Sequence, residues 1–133
     1  MGLEVIDLGL VDFKTAWQKQ KEVFQQVKEG LLDKAVVTCR HYPVITLGRS
    51  SDRKNILISQ EELAKRGIDV YEVERGGDVT YHGPGQLIVY PVFNLRYLKK
   101  DIHWFLRYLE DLIIACLDEF GIKGQRLKGL TGV

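Results

Sequence analysis

The sequence predicts an α+β fold, a mixed or mostly antiparallel sheet flanked by helices, on three observations. Two stretches, at residues 12–30 and 101–121, repeat apolar residues at helical spacing between recognisable caps. Short runs rich in β-branched residues stand between them. Their order is helix, hairpin, helix, two strands, helix, with no regular strand–helix alternation, which argues against a doubly wound parallel sheet.

Asp12 is placed to cap a first helix that buries Phe13, Ala16, Trp17, Phe24 and Val27, sets Lys14, Gln18, Lys21, Gln25 and Lys28 on the other face, and stops at Gly30. Residues 35–39 and 44–47 read as two strands of a hairpin joined by Arg40-His41-Tyr42-Pro43. Ser59-Gln60-Glu61-Glu62 has the form of a capping box, and Gly67 sits where a C-cap belongs, so a short helix spans 60–66. Residues 68–74 and 86–93 are strand-like, and residues 75–85 form a loop between them. In the last helix Asp101 is the cap, Gly121 the stop, and Ile102, Phe105, Leu109, Leu112, Ile113, Cys116 and Phe120 form the apolar stripe.

Composition narrows the function classes. With 133 residues, 45% hydrophobic and 28% charged, the chain is expected to form a single domain over 1–133. Lys and Arg total 19 against 18 Asp and Glu, so a net charge of +1 supplies no broad field for nucleic acid or a membrane surface. No apolar window approaches the ~18 residues of a membrane span, and no export signal opens the chain, so the expected location is cytoplasmic. Cys39 and Cys116 lack any metal-ligand spacing and read as packing residues. Lys123, Arg126 and Lys128 read as a solvated basic end, while Arg49, Arg53 and Lys54 read either as a solvated loop or as a docking patch for an acidic carrier helix.

The loop carries the most chemistry. Residues 75–86 place four glycines and a proline among Arg75, Asp78, Thr80, Tyr81 and His82. Glycines let a backbone approach a ligand and present its N–H groups, and the polar side chains add donors, an acceptor and a flat apolar ring. Turn geometry alone accounts for the glycines but not for Arg, Thr, Tyr and His in one turn. The spacing matches neither a dinucleotide fingerprint nor a P-loop.

These residues, followed by Leu87-Ile88-Val89-Tyr90-Pro91, resemble the signature of the lipoyl(octanoyl) transferases. His41-Tyr42-Pro43-Val44-Ile45-Thr46-Leu47-Gly48-Arg49 resembles the same family's second block, and Leu8-Gly9-Leu10-Val11-Asp12-Phe13 with Ala16, Trp17 and Gln20 resembles its opening. The resemblance implies the α+β fold of biotin and lipoate ligases. It implies transfer of octanoyl from acyl carrier protein to a cysteine thiolate, then to a lysine of lipoyl domains of 2-oxoacid dehydrogenases and of the glycine cleavage H protein, with no cofactor, ATP or metal. Carried over position by position, Arg75, Gly76, Gly77, Asp78, Val79, Thr80, Tyr81 and His82 match the family's substrate-binding run, with Val79 either facing the acyl chain or supporting the loop. The family's nucleophilic cysteine and activating lysine follow a segment resembling Leu130-Thr131-Gly132-Val133, so both are expected beyond Val133, and Lys128, which precedes that segment, is not the lysine. The chain is therefore expected to be the N-terminal part of a transferase catalytic domain and inactive alone. The alternatives are a noncatalytic acyl- or carrier-binding fragment and a lipoate or biotin ligase of the same fold.

Overall fold

The computed structural model describes residues 2–133. Backbone contacts group them into two compact units, the first ending at Phe93 and the second comprising Asn94–Val133. The first unit holds β1 (Glu4–Val11), α1 (Phe13–Lys28), β2 (Lys34–His41), β3 (Val44–Leu47), α2 (Gln60–Lys65), β4 (Asp69–Glu72), β5 (Val79–His82) and β6 (Ile88–Phe93). The strands form two mixed sheets, ordered β1-β2-β6 and β4-β3-β5. In each, one neighbour of the central strand is parallel to it and the other antiparallel.

The expected hairpin is not present, because β2 and β3 lie at the centres of different sheets. Burial explains the switch. β2 alternates buried with partly covered positions under α1, whereas all four residues of β3 are buried, the pattern of a strand covered on both faces. The parallel pairings also correct the reading that strand–helix alternation is absent, since α1 links β1 to β2 and α2 links β3 to β4. β1 was not anticipated, and a register break between Asp7 and Leu10 obscures its alternation. At the break Gly9 takes φ +61°, and the Asp7 carboxylate accepts from the Gly9 amide at 3.0 Å and the Thr38 hydroxyl at 3.1 Å.

Both caps of the first unit form as the sequence indicates. Asp12 accepts from the Thr15 amide at 2.9 Å and Ser59 from the Glu62 amide at 3.2 Å. Glu62 does not complete the box, its carboxylate turning instead to Arg66 at 2.7 Å. α1 buries Phe13, Ala16, Val23 and Val27, while Phe24, expected inside, is exposed. Ala16 packs with Cys39 and Ile88, and Val23 with Ala35 and Val37. On the other sheet Ile45 and Leu47 pack with Leu63 of α2, and Val70 and Val79 close around them.

The second unit is built on α3 (Ile102–Glu119), capped by Asp101, which accepts from the Trp104 amide at 3.0 Å. Glu110 is buried and accepts from Arg107 at 2.7 Å, Arg126 at 2.7 Å and the Gly132 amide at 2.8 Å. Arg126 also bonds Asp111 and the Arg107 carbonyl, so it is a staple rather than the solvated charge expected. Cys116 is exposed, which corrects its reading as a packing residue, and of the apolar stripe Ile102, Leu112, Ile113 and Phe120 are exposed as well.

Candidate functional site

Because side chains alternate along a strand, β3 turns Ile45 and Leu47 toward α2 and Val44 and Thr46 the other way. Register places Tyr71 and Thr80 beside Thr46, and Asp69 and His82 beside Val44. Opposite stand Phe13, Trp17 and Gln20, spaced i, i+4 and i+7 along one face of α1, with Tyr90 of β6. Phe13 bridges the two sides, its ring centroid 5.3 Å from Tyr71 and 5.5 Å from His41. The resulting cleft of about 290 Å³ is lined by Phe13, Trp17, Gln20, Thr46, Val73, Glu74, Arg75, His82 and Tyr90. That is at the small end of the range for small-molecule sites.

Arg75 reaches back over β3. Its Nη2 donates to the Thr46 carbonyl at 2.9 Å, the Thr46 hydroxyl at 2.9 Å and the Asp78 carbonyl at 2.8 Å, and Nη1 donates to the Gly76 carbonyl at 2.9 Å. Three backbone bonds fasten the same loop to the segment after β3: Gly48 N–H to Asp78 O, Arg49 N–H to Arg75 O, and Ser50 N–H to Gly77 O. Gly48 permits this approach, since a Cβ there would stand 2.3 Å from the Gly77 carbonyl oxygen. The Asp78 carboxylate binds outward, to the Asp52 amide at 3.1 Å and the Asn55 side-chain amide. Arg49 donates to the Glu74 carbonyl at 2.7 Å and Arg53 pairs with Glu72 at 2.6 Å, so two of the three cations of the candidate docking patch serve this scaffold.

Of the run singled out in the sequence, Arg75 and His82 line the cleft. Gly76, Gly77 and Asp78 form its stapled rim, and Val79 packs in the cluster with Ile45, Leu47 and Leu63, supporting the loop from beneath. Thr80 shares a strand face with His82, whereas Tyr81 points the other way, is half exposed and lies over Gly83. The His82 Nδ1 lies 2.8 Å from the Gln86 Oε1. Residues 79–82 are strand, not loop as expected, because each pairs with β3.

Sequence reasoning placed Phe13, Trp17, Gln20, Thr46 and Tyr90 in family-like blocks without assigning any of them to the site. A polar Gln20 on the buried face of α1 was the available signal. His41, read as a turn residue, ends β2 and is 2% exposed. Its Nδ1 lies 3.1 Å from the Val11 carbonyl oxygen and its Nε2 2.9 Å from the Tyr90 hydroxyl. Burial pushes its pKa below the usual histidine value and that of Tyr90 well above the usual phenol value. Cys39 lies 3.5 Å from the His41 Nε2, and burial raises its thiol, which keeps it a protonated core group and not a nucleophile. Among the described residues no three His, Cys, Asp or Glu side chains gather to hold a metal, and no helix is long and apolar enough to cross a membrane. The cleft thus offers aromatic walls and one immobilised cation, an arrangement for holding an apolar group with a polar end.

A family model for the lipoyl protein ligase A/B catalytic domain matches residues 12–133. The chain is 44% identical over 133 residues to an octanoyltransferase of Koribacter versatilis, covering 98% of this chain and 53% of that protein. It is 44% identical over 142 residues to an octanoyltransferase of Cytophaga hutchinsonii, covering 97% and 58% respectively. It therefore spans a little over half the length of these curated relatives. Among solved structures it resembles the bi-partite lipoate protein ligase of Thermoplasma acidophilum, with TM-score 0.69 at 15% identity over 96% of this chain and 49% of that one. LipL1 of P. falciparum in complex with lipoate gives TM-score 0.71 at 15% identity over 95% and 39%.

Proposed function

Because the chain belongs to the lipoyl protein ligase A/B catalytic domain family, we propose that it supplies the acyl-binding part of an octanoyltransferase, which moves octanoyl from acyl carrier protein to a lysine of a lipoyl domain. The observation that carries the reading is the 44% identity to octanoyltransferases sustained along 98% of the chain. The geometry supports it. Each methylene drawn from water against Phe13, Trp17 and Tyr90 contributes about 0.8 kcal/mol, enough for an unbranched acyl chain to be held by apolar contact alone. The thioester end then faces the polar rim of Thr46, Arg75 and His82, with the glycine loop Gly76, Gly77 and Asp78 held in place by its staples.

In this reading the nucleophilic cysteine and its activating lysine come from beyond Val133. The cysteine thiolate attacks the octanoyl thioester and the carrier thiol leaves; the acceptor lysine amine then attacks the enzyme thioester and the cysteine leaves. Acceptors are lipoyl domains of 2-oxoacid dehydrogenases and the glycine cleavage H protein, and neither ATP nor a metal is required.

Intact-mass measurement of the full-length protein after incubation with octanoyl-loaded carrier tests this directly. The expected result is one added octanoyl group that passes to a lipoyl domain without ATP. Transfer only from free acid with ATP would make it a ligase. Octanoate affinity without any adduct would make it a binding protein.

A further inference from the structure

The Val11–His41–Tyr90 chain at the base of the cleft has no part in the transfer proposed above, and the chemistry of its ends bears on its direction. A carbonyl only accepts, so the proton between His41 Nδ1 and Val11 O, 3.1 Å apart, belongs to Nδ1. Burial keeps the ring neutral, which leaves Nε2 with a lone pair and no proton. The Tyr90 hydroxyl, 2.9 Å away, is then the donor, since the Cys39 thiol, a weak donor, stands farther from the same nitrogen at 3.5 Å. Gln20, which lines the same cleft, spends its side-chain amide on the Ala16 carbonyl at 3.3 Å. Turning the ring by 180° would exchange both nitrogens for carbons and forfeit the Val11 and Tyr90 bonds, and Phe13, Tyr90 and His82 pack around it at centroid distances of 5.5, 6.1 and 5.6 Å.

We propose that His41 is a positioning residue that draws the hydroxyl proton of Tyr90 out of the cleft, so that this ring offers the acyl group an aromatic face and no hydrogen-bond donor. The inference rests on the acyl-binding reading of the cleft and adds a basis for selectivity. An unsubstituted hydrocarbon loses nothing against such a wall. A chain carrying a hydroxyl must give up water and finds the phenol proton already committed. Without His41 the phenol can turn its proton toward a polar chain.

The test compares binding of octanoate and 8-hydroxyoctanoate to the purified protein by calorimetry, with no transfer step involved. The unsubstituted protein is expected to favour octanoate, and His41→Leu to lower that preference about fivefold, the worth of one neutral hydrogen bond. His41→Gln, whose amide oxygen can accept the phenol proton, is expected to restore it, as is removal of the phenol hydroxyl in the double variant His41→Leu/Tyr90→Phe. A purely structural role would weaken both ligands together and leave the ratio unmoved, which overturns the inference while leaving octanoate binding intact. Failure of the unsubstituted protein to bind octanoate removes the acyl-binding reading and the inference with it. If His41→Leu does not fold, the ratio in Tyr90→Phe decides: an unchanged preference agrees with a proton held outside the cleft, and an increased preference for octanoate, which means the phenol had been donating to the hydroxylated chain, overturns it.

Discussion

The guanidinium of Arg75 grips Thr46 three times, with Nη2 2.9 Å from its carbonyl oxygen and 2.9 Å from its hydroxyl, and Nε 3.3 Å from that hydroxyl. Together with its bonds to the Gly76 and Asp78 carbonyls, this makes Arg75 the clasp of its own loop rather than a free cation awaiting a ligand. A fixed guanidinium still presents positive potential at the cleft rim, where in the proposed acyl transfer a thioester oxygen would gather charge.

Replacing Arg75 with Met should therefore cost stability as well as binding. Hydrogen bonds from a charged donor contribute about 1.5–3 kcal/mol, so a loss of about 2 kcal/mol in urea unfolding is expected. Arg75→Lys should recover only part of it, because one ammonium can replace the Nη2 contacts to Thr46 and Asp78 but not the Nη1 bond to the Gly76 carbonyl or the Nε bond to the Thr46 hydroxyl. Full recovery by lysine would show that charge, not geometry, is what the position requires.

Gly48→Ala should be more damaging than its single methyl suggests. The new Cβ would lie 2.3 Å from the Gly77 carbonyl oxygen, and that backbone is tied down by Ser50. Overpacking of this kind costs about 1–3 kcal/mol. The loop amides 76–78 should exchange faster with deuterium than in the unsubstituted protein, and unchanged rates would mean the loop shifts freely.

Stability should fall as the pH drops below about 6.5, where an unfolded histidine begins to take up a proton that buried His41 refuses. The folded value is depressed, so the unfolded chain binds more protons across that window and the loss ends once pH falls below the folded value. His41→Gln should flatten this limb. Asp7, Asp12 and Asp101, held below the usual carboxylate range chiefly by hydrogen bonds, lose their contribution only in more acidic solution. A limb that persists in His41→Gln would assign it to another group.

In the second unit Glu110→Gln should loosen the last residues of the chain. The Gly132 amide and the Arg126 and Arg107 side chains hold this carboxyl below the usual range, so its hold is present above the ordinary carboxylate pKa and is lost as pH falls through the folded value. Faster exchange of the Gly132 amide in the variant is the expected signature, and equal rates would mean Arg107 anchors the segment alone through the Leu130 carbonyl.

Local signals in the sequence located the elements whose ends are chemically marked. Asp12, Ser59 and Asp101 cap their helices as their residue types suggest, because a cap is decided within a few residues. Partnering between strands is not local, and there the reading failed. Two apolar runs around Tyr42-Pro43 look like a hairpin until both faces of β3 are seen to be covered. Residues 79–82 look like loop until β3 supplies their partners. The site divides in the same way. Its glycine rim was visible as composition, whereas Gln20, His41 and Thr46 become part of it only when α1 and the two sheets bring them to one place.

The strand connections also bear on how the molecule can move. Within the first unit the chain crosses from one sheet to the other twice, through Tyr42-Pro43 and through residues 83–87. Both crossings lie where Val44 pairs with His82 and Cys39 with Ile88, and none lies at the opposite ends, where Leu47 pairs with Val79 and Lys34 with Phe93. Two plates joined along one border pivot there, and their amplitude grows with distance from it. Spin labels at Lys34 and Glu72 should report a broader spread of distances than labels at Asp69 and Leu87, and equal widths would describe a rigid block. The glycine rim, which lies between Leu47 and Val79 in the fold, stands at the end of that arrangement farthest from the histidine border.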